Sequence, residues 1–277
     1  MTISFCIPIR ILTAFLGFYI ISSPVSAAPY HILITNDDGI DNPGLIALAD
    51  SLSENYQVTV SAPAKNMSGN SHASNLFKGP MKVDIKTDGT YPRFAVHGTP
   101  SDAARFGIVR MRNKGTPVDL VISGINPGSN IGALSHLSGT VGAAMEAQYY
   151  DIPAIALNLN RKVIKADGYG AAIRLVTKVI GQIRHNGLPK GIVLNVNIPQ
   201  HSKGLKIVPM GPSILTLKSY SETEKGYKPD FTFPKAEKGK VGNDAVAYMN
   251  GYTTITPLKI DWTAKEILPL LKNWDLE

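Results

Sequence analysis

ILITNDDGID (residues 32–41) sets an apolar, β-branched run directly against Asn36, two adjacent aspartates and Gly39. An apolar run of this length that stops abruptly at polar residues reads as a buried strand over His31 to Thr35, followed by a turn. Asn42-Pro43 then supplies a helix N-cap with proline at the first helical position. Leu45, Leu48, Ala49 and Leu52 recur at i, i+3, i+4 and i+7, one face of a helix. Strand, polar turn and helix together form the opening unit of an α/β fold. Two readings of the aspartates stay open here: polar punctuation in a solvated turn, or ligands of a cation.

The same rhythm continues outward. YQVTVSAP, VDLVISGIN, PAIALNLN and GIVLNVNIP read as further strands. The second and third of these are near-continuously apolar, as strands covered on both faces must be. TVGAAMEAQYY and the period Ile173, Val176, Ile180, Ile183 read as intervening helices. Such alternation predicts a mostly parallel sheet covered by helices, with ligands beyond the carboxyl ends of the strands. Asp37 and Asp38 follow the first strand, Ser68 follows the second and Asn126 ends VDLVISGIN, so three loops converge on one rim.

From about residue 203 to 250 the chain is rich in lysine, glycine and polar residues and reads as an extended hairpin or arm, with a loose insertion as the alternative. GYTTITPLKIDWTA then alternates as a strand, and Ile267, Leu268, Leu270 and Leu271 form a short amphipathic end. The expected organisation is therefore a leader over 1–27, a catalytic α/β domain over 28–202, an arm over 203–250, and a strand and helix over 251–277 that return to the core or are exchanged with another subunit.

Composition suits a globular chain: 277 residues, 44% hydrophobic and 18% charged. The net charge of +7 is spread out, with its densest scatter at Lys218, Lys225, Lys228, Lys235, Lys238 and Lys240 and no nucleic-acid-binding motif beside it. The first 27 residues carry one arginine, an apolar run from Ile11 to Ile21 and small residues at Val25 and Ala27, the layout of a cleavable export signal. The run is short for a membrane span, which needs about 20 residues. Cys6, the single cysteine, lies within these first 27 residues, so the mature chain would form no disulfide. A periplasmic or secreted protein with no membrane span after cleavage is expected.

Adjacent carboxylates repel unless a proton or cation lies between them. A hard divalent ion takes an all-oxygen set such as Asp37, Asp38, the Ser68 hydroxyl and the Asn126 side-chain carbonyl. The lack of cysteine beyond the leader and of paired-histidine spacing argues against zinc. In SGINPGSNIGALSHLSGTVGAAME, glycines recur and Ser138-Gly139-Thr140 opens into a helix, whose free amides and positive end suit a phosphate. It is not a P-loop, because no lysine follows the glycines. Ser68 and His72 lack the G-x-S-x-G turn of a hydrolase elbow. His72 is expected to be a loop residue within reach of substrate, and His136 lies inside the glycine-rich loop.

ITNDDGIDNPGL, SAPAKNMSGNSHA, HGTPSDA, SGINPGSNIG, SGTVGAAMEA, NVNIP and GYTTITPLKIDWT stand in an order that resembles the SurE family of stationary-phase survival proteins, from about Tyr30 to Thr263. The resemblance implies a Rossmann-like three-layer α/β sandwich and phosphomonoesterase activity on nucleoside 5′- and 3′-monophosphates. It implies one magnesium or manganese ion per subunit, held by Asp37, Asp38, Ser68 and Asn126. Phosphate contacts would come from Asn36, Gly39, Ser138, Gly139 and Thr140, with Asn130 beside them, and the assembly would be a homodimer or homotetramer exchanging its C-terminal extension. Ala133, His136 and Leu137 depart from the acidic residue and tyrosine usual ahead of SGT, and Ala103 from the usual cysteine, which bears on substrate preference.

The mechanism implied is metal-assisted attack of water on a phosphate monoester, with Asp37 or Asp38 as the catalytic carboxylate and Asp37 the candidate for orienting the water. Competing expectations are a broad-specificity secreted acid phosphatase and a phosphate- or nucleotide-binding protein without turnover. A receiver domain fits poorly, since Ser123-Gly124 and Asn158 stand where its later aspartate and lysine would be, and NDDGI lacks the D-x-D-G spacing of aspartyl phosphatases.

Overall fold

β1 (His31–Thr35) is buried at every position and sends Ile32 and Ile34 to one face of the sheet and Leu33 to the other. That alternation is the period-two geometry of an extended chain, and here both faces are apolar because both are covered. The computed structural model describes residues 29–87, 89–232 and 241–276; the expected leader with Cys6, and Lys235, Lys238 and Lys240 of the arm, lie outside the described residues.

The elements follow as α1 (Pro43–Ser53), β2 (Gln57–Pro63), β3 (Val83–Lys86), β4 (Arg93–Val96), α2 (Pro100–Asn113), β5 (Leu120–Pro127), α3 (Gly139–Glu146), β6 (Ala154–Leu159), α4 (Arg161–Asp167), α5 (Gly170–Asn186), β7 (Val193–Ile198), β8 (Leu205–Ile207), β9 (Thr216–Thr223), β10 (Gly226–Thr232), α6 (Asp244–Met249), β11 (Thr253–Leu258) and α7 (Leu268–Leu271). One nine-stranded sheet has the order β3-β4-β2-β1-β5-β6-β7-β11-β8. Its inner strands β4, β2, β1, β5, β6 and β7 are parallel. β3 and β11 join antiparallel at either side.

From β1 the chain winds outward through β2 and β4, then returns to lay β5 on the other side of β1. The sheet order reverses between β1 and β5, and in open α/β sheets that switch opens a crevice beyond the strand ends. α1 and α5 pack on the Ile32/Ile34 face through Leu45, Leu48, Val176 and Ile180. On the Leu33 face, α2 and α3 pack through Ile108, Met111, Val141 and Ala144.

α2 did not emerge from apolar periodicity. A capping box forms it: the Thr99 hydroxyl accepts from the Asp102 amide, the Asp102 carboxylate accepts from the Thr99 amide, and Pro100 opens the first turn. β9 and β10 form a separate antiparallel hairpin that presents Leu217, Tyr220, Tyr227 and Phe231 to solvent. Within residues 203–250, β8 joins the main sheet, and the buried Asp244 of α6 accepts from the amides of Gly211 (2.7 Å) and Gly132 (3.0 Å). Among the described residues, no helix is long and apolar enough to cross a membrane.

Phe94 of β4 is 1% exposed and meets Phe106 of α2 edge to face at 5.4 Å. Truncation by Phe94→Ala is expected to cost about 3–5 kcal/mol, read as a lowered midpoint in urea unfolding.

Candidate active site

Asp37 and Asp38 stand immediately beyond β1, at the switch between β1 and β5. The turn that carries them is closed by Asn36, whose Nδ2 donates to the Gly39 carbonyl (2.9 Å) and whose Oδ1 accepts from the Gly39 amide (3.1 Å). Gly39 sits at φ +110°, and a Cβ there would lie 3.1 Å from the main chain of Lys65. A side chain is disfavoured on both counts. Asn36 and Gly39, expected as phosphate contacts, thus satisfy one another and shape the turn.

Asp37 is 4% exposed and lies against the N-terminus of α3. The Thr140 hydroxyl donates to its Oδ1 at 2.6 Å, while the Ser138 hydroxyl accepts from the Val141 amide as the N-cap. A Cβ on Gly139 would come within 2.8 Å of Asp37 Cβ and 3.0 Å of its Oδ2, so glycine is what lets the helix end approach the carboxylate. The Thr140 hydroxyl is therefore committed to Asp37.

Burial pushes the Asp37 carboxyl above the usual range, and its hydrogen bond from Thr140 opposes the rise. Asp38 is pushed up to about 6 by burial and then by the charge of Asp37, against the nearby Arg161 guanidinium. Its Oδ2 is buried and makes no hydrogen bond. A buried carboxylate oxygen without a partner is costly, and a cation is the group that removes the cost for both aspartates at once.

The loops that bear the other two expected ligands leave the same edge of the sheet, since β2, β1 and β5 are parallel neighbours. The Met67 amide donates to the Asp37 carbonyl (2.7 Å), which fastens the loop bearing the exposed Ser68 beside the turn. Asn66 Nδ2 lies 3.5 Å from Asp38 Oδ1 in the same loop. Asn126, near the end of β5, donates from Nδ2 to Asn158 Oδ1 (3.3 Å). Asn130 is engaged similarly, its Nδ2 on Asn158 Oδ1 (2.6 Å) and its amide on Asn197 Oδ1 (2.8 Å). Among the described residues no three His, Cys, Asp or Glu side chains gather as a metal-binding group. The set at the rim is two carboxylates with neutral oxygens, the donor chemistry of a hard divalent ion.

The His72 ring is held by a carboxylate of α3. Its Nε2 pairs with Glu146 Oε2 (3.0 Å), and Glu146, 1% exposed, also accepts from Arg105 Nε (2.7 Å). Ser71 donates to the His136 carbonyl, which joins this loop to the segment ahead of α3. His136 itself is exposed and lies edge-on to Trp262. Asn158, Asn195 and Asn197, all fully buried, and Arg161 beside Asp38 are the residues that sequence reasoning missed. Polar side chains inside apolar strands, in NLN and NVN, were the available signal.

Three comparisons bear on this arrangement. The family described as "Survival protein SurE" matches residues 32–216. The "5'-nucleotidase SurE" of Thermoanaerobacter sp. (strain X514) is 39% identical over 256 residues, covering 89% of this chain and 98% of that protein. The "5'/3'-nucleotidase SurE" of Photorhabdus laumondii is 34% identical over 250 residues, covering 88% and 95%. The crystal structure of the SurE protein from Aquifex aeolicus superposes with a TM-score of 0.70 at 31% identity, covering 87% of this chain and 98% of that one.

The raised carboxyl of Asp38 has a defined consequence in chelator. Its stabilising contribution is present below the unfolded value of about 3.9 and is lost as pH rises through about 6. Asp38→Asn is therefore expected to melt higher than the unaltered protein at pH 7–8 in EDTA, with the gap closing below pH 4; thermal melts check it. Gly139→Ala is expected to move α3 off Asp37 and lower kcat by ~10²-fold with the far-UV circular dichroism unchanged.

Proposed function

The chain belongs to the SurE family, and we propose that it is a divalent-metal-dependent 5′-nucleotidase, hydrolysing nucleoside 5′- and 3′-monophosphates to nucleoside and phosphate. The observation that carries this reading is the buried pair Asp37–Asp38 at the switch point, with an unpartnered Asp38 oxygen and a helix N-terminus against Asp37. The activities named for the Thermoanaerobacter and Photorhabdus relatives support it.

Asp37, Asp38, Ser68 and Asn126 would hold a magnesium or manganese ion. Such an ion, when bound, supplies charge neutralisation, polarisation of a phosphoryl oxygen and a water of lowered pKa. Asp37 is fixed through Oδ1 by Thr140 and keeps Oδ2 to orient the attacking water and accept its proton. The Ser138 hydroxyl and the amide end of α3 bind the peripheral phosphate oxygens, where charge grows in the transition state. Asn36 and Gly39 hold the turn on which both aspartates depend. The water oxygen forms the new bond to phosphorus as the bond to the nucleoside oxygen breaks, and that oxygen takes a proton from solvent to leave as the nucleoside hydroxyl.

Two further features belong to the same proposal. The exposed aromatic hairpin β9–β10 supports a homodimer or homotetramer in which the arm lies on a neighbouring subunit. The layout of residues 1–27 supports export to the periplasm or beyond.

The test is phosphate release from a panel of nucleoside 5′- and 3′-monophosphates and p-nitrophenyl phosphate, with EDTA and with manganese or magnesium restored. Activity is expected to vanish in EDTA and return with metal, and Asp37→Asn is expected to lose ~10²–10⁴ in kcat. Full activity in chelator or in Asp37→Asn would sink the site assignment. Equal turnover of every phosphomonoester favours a broad acid phosphatase, and no release at all favours a binding protein.

A further inference from the structure

Asn158 in β6 and Asn195 and Asn197 in β7 are fully buried in strands that are otherwise largely apolar. Burying a primary amide is costly unless its donors and its acceptor are all met. Asn158 meets them all. Its Nδ2 donates to the Val196 carbonyl (2.9 Å) and Asn195 Oδ1 (3.0 Å), and its Oδ1 accepts from Asn126 Nδ2 (3.3 Å) and Asn130 Nδ2 (2.6 Å).

The polarity of this chain of amides follows from one atom. The Val196 carbonyl can only accept, so the Asn158 group facing it must be the NH2. The Asn158 oxygen is then turned toward Asn126, and Asn126 must answer with its own NH2. That leaves the Asn126 carbonyl oxygen on the opposite side of its amide. A cation ligand needs that oxygen, whereas the flipped amide would present two positive hydrogens instead.

We propose that Asn158 is a positioning residue for the metal site: anchored by the Val196 main chain, it fixes the side-chain amide of Asn126 so that oxygen, rather than NH2, is offered to a divalent cation. The inference rests on the reading of Asn126 as a ligand. It adds the reason a neutral, freely rotatable amide can serve as one: the flipped amide would set its oxygen against the Asn158 oxygen, two acceptors with no hydrogen between them.

A manganese titration of the purified protein, with free Mn2+ counted by electron paramagnetic resonance, tests this without an activity measurement. Asn158→Leu removes the acceptor, and the Mn2+ dissociation constant is expected to rise roughly tenfold or more, as for other groups that orient a ligand. The decisive comparison repeats Asn158→Leu in an Asn126→Asp background. A carboxylate offers an oxygen whichever way it turns, so there the same change is expected to shift the constant by less than about threefold, a non-additivity that marks direct coupling.

An equal loss in both backgrounds would mean that Asn158 acts only through general packing and would overturn the proposal, as would undiminished affinity in Asn158→Leu alone. If Asn158→Leu fails to fold, Asn158→Ala removes the same acceptor without crowding and carries the same comparison. Absence of Mn2+ binding by the unaltered protein would overturn the metal reading itself, a result distinct from binding without coupling.

Discussion

The hydrogen bond from the Thr140 hydroxyl to Asp37, 2.6 Å long and buried, is the contact on which the site depends. It joins the end of β1 to the start of α3 across more than a hundred residues of sequence, in the crevice where the sheet order reverses. A carboxylate at the positive end of a helix recovers part of what burial costs it. Asp38, one residue on, has no such partner for its Oδ2 and carries the larger unmet need. The pair is therefore asymmetric, with one carboxylate hydrogen-bonded by the protein and the other keeping an oxygen without a partner.

Around that bond the loops are fastened by neighbours far apart in the chain. The Met67 amide on the Asp37 carbonyl holds the Ser68 loop at its near end. At its far end His72 meets the buried Glu146, and Arg105 of α2 meets the same carboxylate, so a partly buried cluster ties α2, α3 and the loop together. A buried carboxylate such as Glu146 needs well-placed partners to offset its desolvation, and the clearest use of such contacts is in fixing arrangement. Asp244 does comparable work for the segment entering α3, since its two oxygens take the amides of Gly132 and Gly211.

The neutral side of the site is built from amides. Asn126, Asn130, Asn158, Asn195 and Asn197 share hydrogen bonds across the ends of β5, β6 and β7, with main-chain groups setting their polarity. A layer of amides gives the rim fixed dipoles without adding charge beside two carboxylates that already repel. The parallel register brings it about, pairing Asn126 with Asn158 and Asn158 with Asn197.

Local pattern carried much of the fold. The apolar runs at β1, β2, β5, β6 and β7, the periodic faces of α1 and α5, and the Asn42-Pro43 cap are nearest-neighbour properties, and they place Asp37, Asp38 and Asn126 at strand ends before any contact is known. α2 was equally local but written in capping chemistry, Thr99-Pro100-Ser101-Asp102, in place of an apolar stripe. β3, β4 and β8 are too short, at three or four residues, for alternation to distinguish them from loops. The partnerships lay beyond the sequence: that Thr140 would turn to Asp37, His72 to Glu146 and Asn158 to Asn126 is decided by how strands and helices are stacked. Sequence names which residues can hold a charge or an amide. Only the tertiary structure, by removing water and limiting each group to the neighbours it can reach, decides which ones must.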